Sequence, residues 1–305
     1  MYTFFVGLKN TINVFSDRII RKKFMPIFIF YLQKDMRFAN GLVPLFFKCF
    51  NKYKPQEFIA EVLRPIKSVL VQKDNPKISL MLLDYLGTLL NRLPAEYFDE
   101  LVFPIAFAAL QSNDANVLMA VLDQFPNLLD AMSINLIRTE AVPLLMKIAE
   151  NNQIPDIINS VIKLCILAMN KTGPEFIAQS CFLPLGRMWR KSQWPKLAES
   201  LADLVELCDV PAEQLFTSTL QMAIQIVAVP KVASATQARM ILFIQDSLQK
   251  INKEHHLSKA DYEEARNQKA QKPAFPTTKL KDLLDEEEDE DDDDDDEQND
   301  TQPIS

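Results

Sequence analysis

The chain has 305 residues, of which 48% are hydrophobic and 24% charged, a balance typical of soluble folded proteins. It contains only 5 glycines, against about 20 for average usage, which argues against glycine-rich phosphate loops, tightly turned β-sandwiches and Rossmann folds. The 4 cysteines are scattered without paired spacing, which argues against a zinc ribbon or a disulfide framework.

The net charge of −8 conceals a strong asymmetry along the chain. Residues 285–297 are all acidic and Asp300 adds one more acid, so residues 1–284 carry 33 basic and 27 acidic side chains, a net of +6. Residues 1–54 alone hold 10 Lys and Arg against 2 Asp. The pattern predicts a folded body with a basic N-terminal part and an acidic tail.

The basic N-terminal part contains a dense cluster that we take as a candidate patch for an anionic partner. Its residues are Arg18, Arg21, Lys22 and Lys23. One interpretation is a solvated helix face; the other is a contact with phosphoinositide headgroups or with an acidic protein surface. Nucleic acid is not expected as the partner, because the sequence does not pair these basic side chains with aromatic residues on which nucleobases could stack. No secretory signal is present and the apolar stretch 24–32 is too short to span a bilayer, so we expect a cytoplasmic or peripheral protein.

Five prolines flanked by apolar residues mark an internal repeat. They are Pro26, Pro65, Pro104, Pro143 and Pro184, at intervals of 39, 39, 39 and 41 residues. Nine residues after each lies a polar loop former, in the order Asp35, Asp74, Asn113, Asn152 and Gln193. The interval between prolines and the nine-residue distance from each proline to the polar residue are both regular, which predicts a repeated unit. In that unit a helix carrying the proline is followed by a short turn and a second helix.

Apolar residues between the turns recur at three- and four-residue spacing, as in Val117, Leu118, Val121, Leu122 and Phe125, which predicts amphipathic helices. A two-helix repeat of about 40 residues is typical of HEAT/armadillo-like α-solenoids. We therefore predict an all-α solenoid over 1–257, with about six hairpins over 15–54, 56–94, 96–134, 136–172, 174–210 and 212–252. Residues 1–14 are expected to form a capping helix or half of an interrupted unit. An irregular all-α domain is the alternative.

The last hairpin departs from the pattern, because its first helix lacks the proline and its turn, 230–236, is longer. Its second helix, near 235–254, is predicted to turn an outer face of Gln237, Arg239, Asp246 and Lys250 to solvent at the end of the stack. Trp189 and Trp194 are interpreted either as a partner hot spot or as part of the core between repeats.

No catalytic signature is found in the sequence. It lacks a phosphate loop, a kinase catalytic loop and a nucleophile elbow. The only histidines, His255 and His256, are adjacent, and neighbouring residues on a helix point about 100° apart, a poor arrangement for two metal ligands. We expect a chain that is not an enzyme, with no cofactor, metal or small-molecule substrate.

The order of short motifs along 1–257 resembles the HEAT-repeat region of the SCY-like pseudokinases, most of all the coated-vesicle-associated, clathrin-binding branch. The motifs are Phe4-Phe5, Gly7-Leu8, Arg21 to Pro26, Val43-Pro44, Leu63-Arg64-Pro65, Leu89-Leu90, Leu93-Pro94, Pro104, Ala109-Leu110, Phe125 to Asp130, Leu183-Pro184, Phe243-Ile244 and Glu254-His255. The resemblance implies a scaffold in clathrin-dependent traffic between the trans-Golgi network, endosomes and the plasma membrane, with clathrin or adaptor proteins as partners.

In that family a kinase-like domain precedes the repeats, and this sequence has none. One interpretation is a short paralogue; another is the C-terminal regulatory part of a longer kinase-like protein. A nuclear transport or histone-binding solenoid that works through its acidic tail is a further alternative.

The segment 258–305 is predicted to be a separate charged tail. Residues 259–271 have the composition of a charged helix, and the acidic remainder is expected to be disordered, since it cannot bury enough apolar surface to fold. The residues Asp282, Leu283, Leu284 and Asp285 resemble short clathrin-binding motifs. In such a motif the leucines insert into a groove and the acids meet its basic rim.

Overall fold

The computed structural model describes residues 2–73, 75–255 and 259–271, and these ranges contain helices and turns without a β-strand. The all-α prediction is confirmed. The helices are α1 Tyr2–Thr11, α2 over 17–34, α3 over 36–48, α4 over 55–70, α5 Pro76–Arg92, α6 over 95–110, α7 Ala115–Ala131, α8 over 134–151, α9 Pro155–Thr172, α10 Pro174–Ser192, α11 Pro195–Leu207, α12 over 212–227, α13 Ser234–Glu254 and α14 Lys259–Gln271.

Helices α2 to α13 form six consecutive hairpins, so the predicted HEAT/armadillo-like solenoid is confirmed. The first helices α6, α8, α10 and α12 stack in one layer, and the second helices α3, α5, α7, α9 and α11 stack in the other. Helix α1 packs on α3, in the position that the second helix of a preceding hairpin would take. One continuous apolar core runs between the layers, because no hairpin can bury its apolar face alone.

A wide π-helical turn precedes the repeat proline in each of the first four hairpins. These turns are Ile20–Phe24, Ile59–Leu63, Phe98–Val102 and Ile137–Ala141, and each ends two residues before the proline. A proline ring inside an α-helix collides with the carbonyl four residues earlier. The wider turn relieves this collision, because the residue before the proline donates its N–H to the carbonyl five residues back, as Arg64 does to Ile59 at 3.0 Å.

The predicted turns lie where the offset of nine places them. The Asp35 carboxylate accepts the backbone N–H of Arg37 and so caps the start of α3. In the second and third hairpins the capping residue comes one position later. There Asn75 accepts the N–H of Ile78 at the start of α5, and Asp114 accepts the N–H of Val117 at the start of α7. Asp74 lies outside the described residues.

The chain divides into two units, Met1–Ile251 and Asn252–Ser305. The first unit contains the hairpins. In the second, residues 259–271 form the predicted charged helix α14, whose described side chains at 260–267 are all exposed. The predicted boundary at 257 lies outside the described residues, because 256–258 are not described. The stretch 272–305, for which disorder is predicted, also lies outside them.

Candidate interaction surfaces

The predicted clathrin-binding residues Asp282, Leu283, Leu284 and Asp285 lie outside the described residues, so that assignment stays a prediction. The predicted basic residues Arg18, Arg21, Lys22 and Lys23 all lie on α2, the first helix of the first hairpin.

The structure separates these four basic residues into two kinds. The Arg21 guanidinium is 2.9 Å from a Glu57 oxygen and 3.1 Å from a Glu61 oxygen, and it stacks over the Tyr53 ring at 4.7 Å. Its charge is therefore neutralised within the protein. Arg18, Lys22 and Lys23 are exposed and have no ion pair with any residue that the structure describes. The available cations of the patch are these three.

Ion pairs link consecutive hairpins at separations close to the repeat length. Besides Arg21, they join Arg64 to Glu100, Glu150 to Arg187, Asp156 to Lys196, Asp203 and Glu206 to Arg239, and Asp209 to Lys250. Each pair is partly exposed and stabilises by only about 0–1 kcal/mol. The Arg64 side chain also holds the pKa of Glu100 below its usual range. These charges pair within the solenoid and are not free for a partner.

Arg239 and Lys250 were expected on the outward face of the last helix, and that expectation is wrong. Arg239 donates to Glu206 at 2.7 Å and to Asp203 at 2.8 Å, and Lys250 donates to Asp209 at 2.9 Å. All three acceptors lie in or just after α11. Both cations therefore fasten the last hairpin to the preceding one.

Two helix ends are capped by side chains from an adjacent hairpin. Lys171 on α9 donates to the carbonyls of Leu129 and Asp130 at the end of α7, a favourable place for a cation. The indole of Trp189 on α10 donates to the Gln225 carbonyl near the end of α12 at 3.1 Å. Trp189 is 1% exposed, so its interpretation as core between repeats is confirmed.

Two open apolar grooves lie near opposite ends of the first unit. The front groove, between α2 and α4, has a volume of about 440 Å³ and is lined by Lys22, Met25, Pro26, Phe30 and Glu61 among others. The rear groove, between α12 and α13, has a volume of about 470 Å³ and is lined mainly by Phe216, Leu220, Ile224, Ile244 and Leu248. Grooves of this kind accept apolar side chains from a peptide or helix.

A third cleft, of about 470 Å³, is polar and opens at the turns of the second to fourth hairpins. Lys73, Lys147, Asn113 and Asn151 line it, and the Lys73 ammonium donates to Gln111 at 2.5 Å.

The four cysteines are buried and unpaired, and burial raises the pKa of the Cys49 thiol to about 11. Within the described ranges, no group of three or more His, Cys, Asp or Glu side chains is placed to hold a metal ion. No helix of the described residues is long and apolar enough to cross a bilayer.

Sequence reasoning missed the apolar residues exposed beside the basic patch, namely Ile19, Ile27 and Phe30. Residues 24–32 are apolar almost without interruption, so their pattern does not distinguish the buried side of α2 from the exposed one. The rear groove was missed too, because its apolar side chains have the same spacing as a core stripe.

Comparison with known proteins identifies no family, since no family model and no curated protein matches the sequence. Among solved structures, the fold is similar to the crystal structure of Cex1p, with 15% sequence identity and a TM-score of 0.49. The similarity covers 79% of this chain and 46% of Cex1p, so the chain matches less than half the length of that protein.

Proposed function

We propose that this chain is a non-catalytic scaffold that binds coat or adaptor proteins in clathrin-dependent vesicle traffic, peripherally on Golgi, endosomal or coated-vesicle membranes. The observation that carries the protein-binding part is the open apolar groove of the last hairpin. Phe216 and Ile224 are 57% and 52% exposed there, on a solenoid whose interior hairpins are fastened by ion pairs. An exposed apolar patch on a folded protein marks a site of interaction.

The coat-protein part is supported by the resemblance to the coated-vesicle-associated branch and by the tail residues Asp282 to Asp285. A short segment with two leucines between acids suits a partner groove with a basic rim. The scaffold then offers two contacts, an apolar groove on the solenoid and a leucine motif in the tail.

The test is affinity purification of the tagged full chain from its own cells, with identification of bound proteins by mass spectrometry. We expect clathrin or adaptors with the wild type and their loss with Leu283→Ala, Leu284→Ala. Replacement of Thr277 and Thr278 by alanine is the matched control in the same segment. Phe216→Ser, Ile224→Ser tests the groove, with Leu183→Ser as control, since Leu183 is an exposed leucine outside the lining of that groove.

The outcomes distinguish the contacts. Clathrin lost only with the leucine variant places the contact in the tail, and clathrin lost only with the groove variant places it on α12 and α13. Recovery of import factors or histones without any coat protein would overturn the traffic role.

A further inference from the structure

The outward face of α2 combines cations with exposed apolar side chains. Buried positions on this helix are Ile20, Met25, Phe28 and Leu32, so the opposite side faces solvent. That side carries Arg18, Ile19, Lys22, Lys23, Ile27 and Phe30, which recur at intervals of three to four residues. We call these six residues the α2 face.

The apolar members of the α2 face are well exposed, with Ile19 at 42%, Ile27 at 49% and Phe30 at 57%. Val14, in the turn that precedes α2, is 85% exposed. Exposing such large side chains to water is unfavourable, so transferring them to an apolar medium favours binding.

The charge of the α2 face has one sign. Residues 18–34 contain no acid. The nearest acids are held in ion pairs, because Asp17 at the start of α2 pairs with Lys52 at 2.9 Å while Glu57 and Glu61 of α4 hold Arg21. Charges beyond about 8–10 Å are screened at physiological salt, so these local cations decide which partner is attracted.

We propose that the α2 face docks this protein on an anionic lipid bilayer. A helix with Lys and Arg beside Phe and Ile on its free side, and with no acid after its first residue Asp17, has the composition of an interfacial membrane-binding helix. The lysines reach the anionic headgroups, and Ile27 and Phe30 enter the boundary between headgroups and acyl chains. Lys34, whose ammonium lies 5.6 Å from the centre of the Phe30 ring, reaches the headgroups beside it. An acidic protein groove would satisfy the cations but would not require the exposed apolar residues.

The proposal is tested by sedimentation of the full chain with vesicles of phosphatidylcholine alone and of phosphatidylcholine mixed with phosphatidylserine. We expect binding to the mixed vesicles only. Lys22→Ala, Lys23→Ala should lower the partition coefficient by about 30-fold, at about fivefold for each cation near an anionic surface. Phe30→Ser should lower it by about 10-fold through loss of apolar burial.

Arg190→Ala, Lys191→Ala is the matched control, because it removes two adjacent exposed cations from α10 and should leave vesicle binding unchanged. All substituted residues are exposed, so each variant should keep the wild-type circular dichroism spectrum and melting temperature.

Equal binding by the wild type and the lysine variant would overturn the proposal, and so would an equal loss with the α10 control. Binding to polyglutamate without binding to either vesicle would replace the bilayer by an acidic protein partner. The proposal does not depend on the coat-protein contact, because the vesicle assay contains no other protein.

Discussion

The Trp189 indole forms a hydrogen bond between the fifth and sixth hairpins, and its loss should have a clearly measurable effect on stability. Trp189→Phe keeps an aromatic ring in the core but removes the donor to the Gln225 carbonyl. That carbonyl lies near the C-terminus of α12, where helix carbonyls lack partners within the helix. An unpaired, half-buried carbonyl costs ~1–2 kcal/mol. The smaller ring leaves a cavity that costs ~1 kcal/mol more.

We therefore expect Trp189→Phe to lower the free energy of unfolding by ~2–3 kcal/mol, which corresponds to ~4–12 °C in melting temperature for a unit of this size. The assay is urea and thermal unfolding followed by far-ultraviolet circular dichroism, because the substitution removes a fluorophore. The matched control is Trp194→Phe. Trp194 is half-buried and its indole has no hydrogen bond among the described residues, so its loss should cost under ~1 kcal/mol.

The position of the change is as informative as its size. In a solenoid each repeat contacts only its neighbours, so hydrogen exchange in Trp189→Phe should rise in α12 and α13 and stay unchanged in α6 and α7. Equal destabilisation by the two tryptophan variants, or faster exchange spread over all the hairpins, would refute the view that this hydrogen bond fastens the last hairpin.

Three further predictions concern the rest of the solenoid. Gly87→Ala should raise the free energy of unfolding by ~0.5–1 kcal/mol, because Gly87 lies in mid-helix and an added Cβ meets nothing within 4 Å. Gly173→Ala should lower it by ~1–3 kcal/mol, because the backbone there has φ +88°. Urea unfolding measures both changes, and two changes of the same sign would contradict the backbone conformations given for these glycines. The Lys54 backbone N–H and Arg21 hold the pKa of Glu57 below its usual range, so the ionised carboxylate stabilises the fold at neutral pH and loses this effect as the pH falls through its folded-state pKa; Glu57→Gln should lower the urea midpoint at neutral pH, and its difference from the wild type should shrink as the pH is lowered below about 4.5. Burial raises the pKa of the Cys208 thiol to about 12, so the cysteines should react with a thiol reagent at pH 8 only after urea unfolding, and rapid reaction of the folded protein would contradict their burial.

The sequence predicted the fold well because its strongest signal is periodic. The interval of 39 residues between prolines and the offset of nine to the turn located the start of each hairpin within two residues and its end within six. A period measured over five repeats is insensitive to the uncertainty of any single boundary. The apolar stripe of α7 was likewise predicted correctly, as Val117, Val121 and Phe125 are all buried.

The π-helical turns were beyond sequence reasoning, although the four prolines that they precede were recognised. A proline inside a helix predicts a local departure from regular α-helix, but a kink, a break or a wide turn can each accommodate the proline ring. Which one forms depends on the packing of the neighbouring hairpin. Pro184 shows this, because it lies within continuous α-helix in α10.

The surface charges were the least predictable feature. Arg21 and Lys22 are neighbours of the same charge in the sequence, yet Arg21 is held by two glutamates of the next hairpin while Lys22 is free. The partners of Arg21 lie about one repeat away, and which residue meets them depends on the side of α2 that the wide turn presents. The sequence alone gives the number of charged side chains but does not show which of them remain unpaired and available to a partner.

The repeat architecture explains why the candidate surfaces lie at the two ends of the first unit. An interior hairpin has a neighbour on each side, and the pairs Arg64 with Glu100 and Arg187 with Glu150 neutralise charges at these junctions. Among the described residues, the first and the last hairpin each have a neighbouring hairpin on one side only, so no other described hairpin buries their outward side chains. The α2 face and the rear groove lie on these two hairpins, and their exposed apolar residues are the ones that we propose a partner covers. Two separate surfaces of different chemistry, one basic and apolar and one mainly apolar, suit the proposed scaffold that bridges a membrane and a protein.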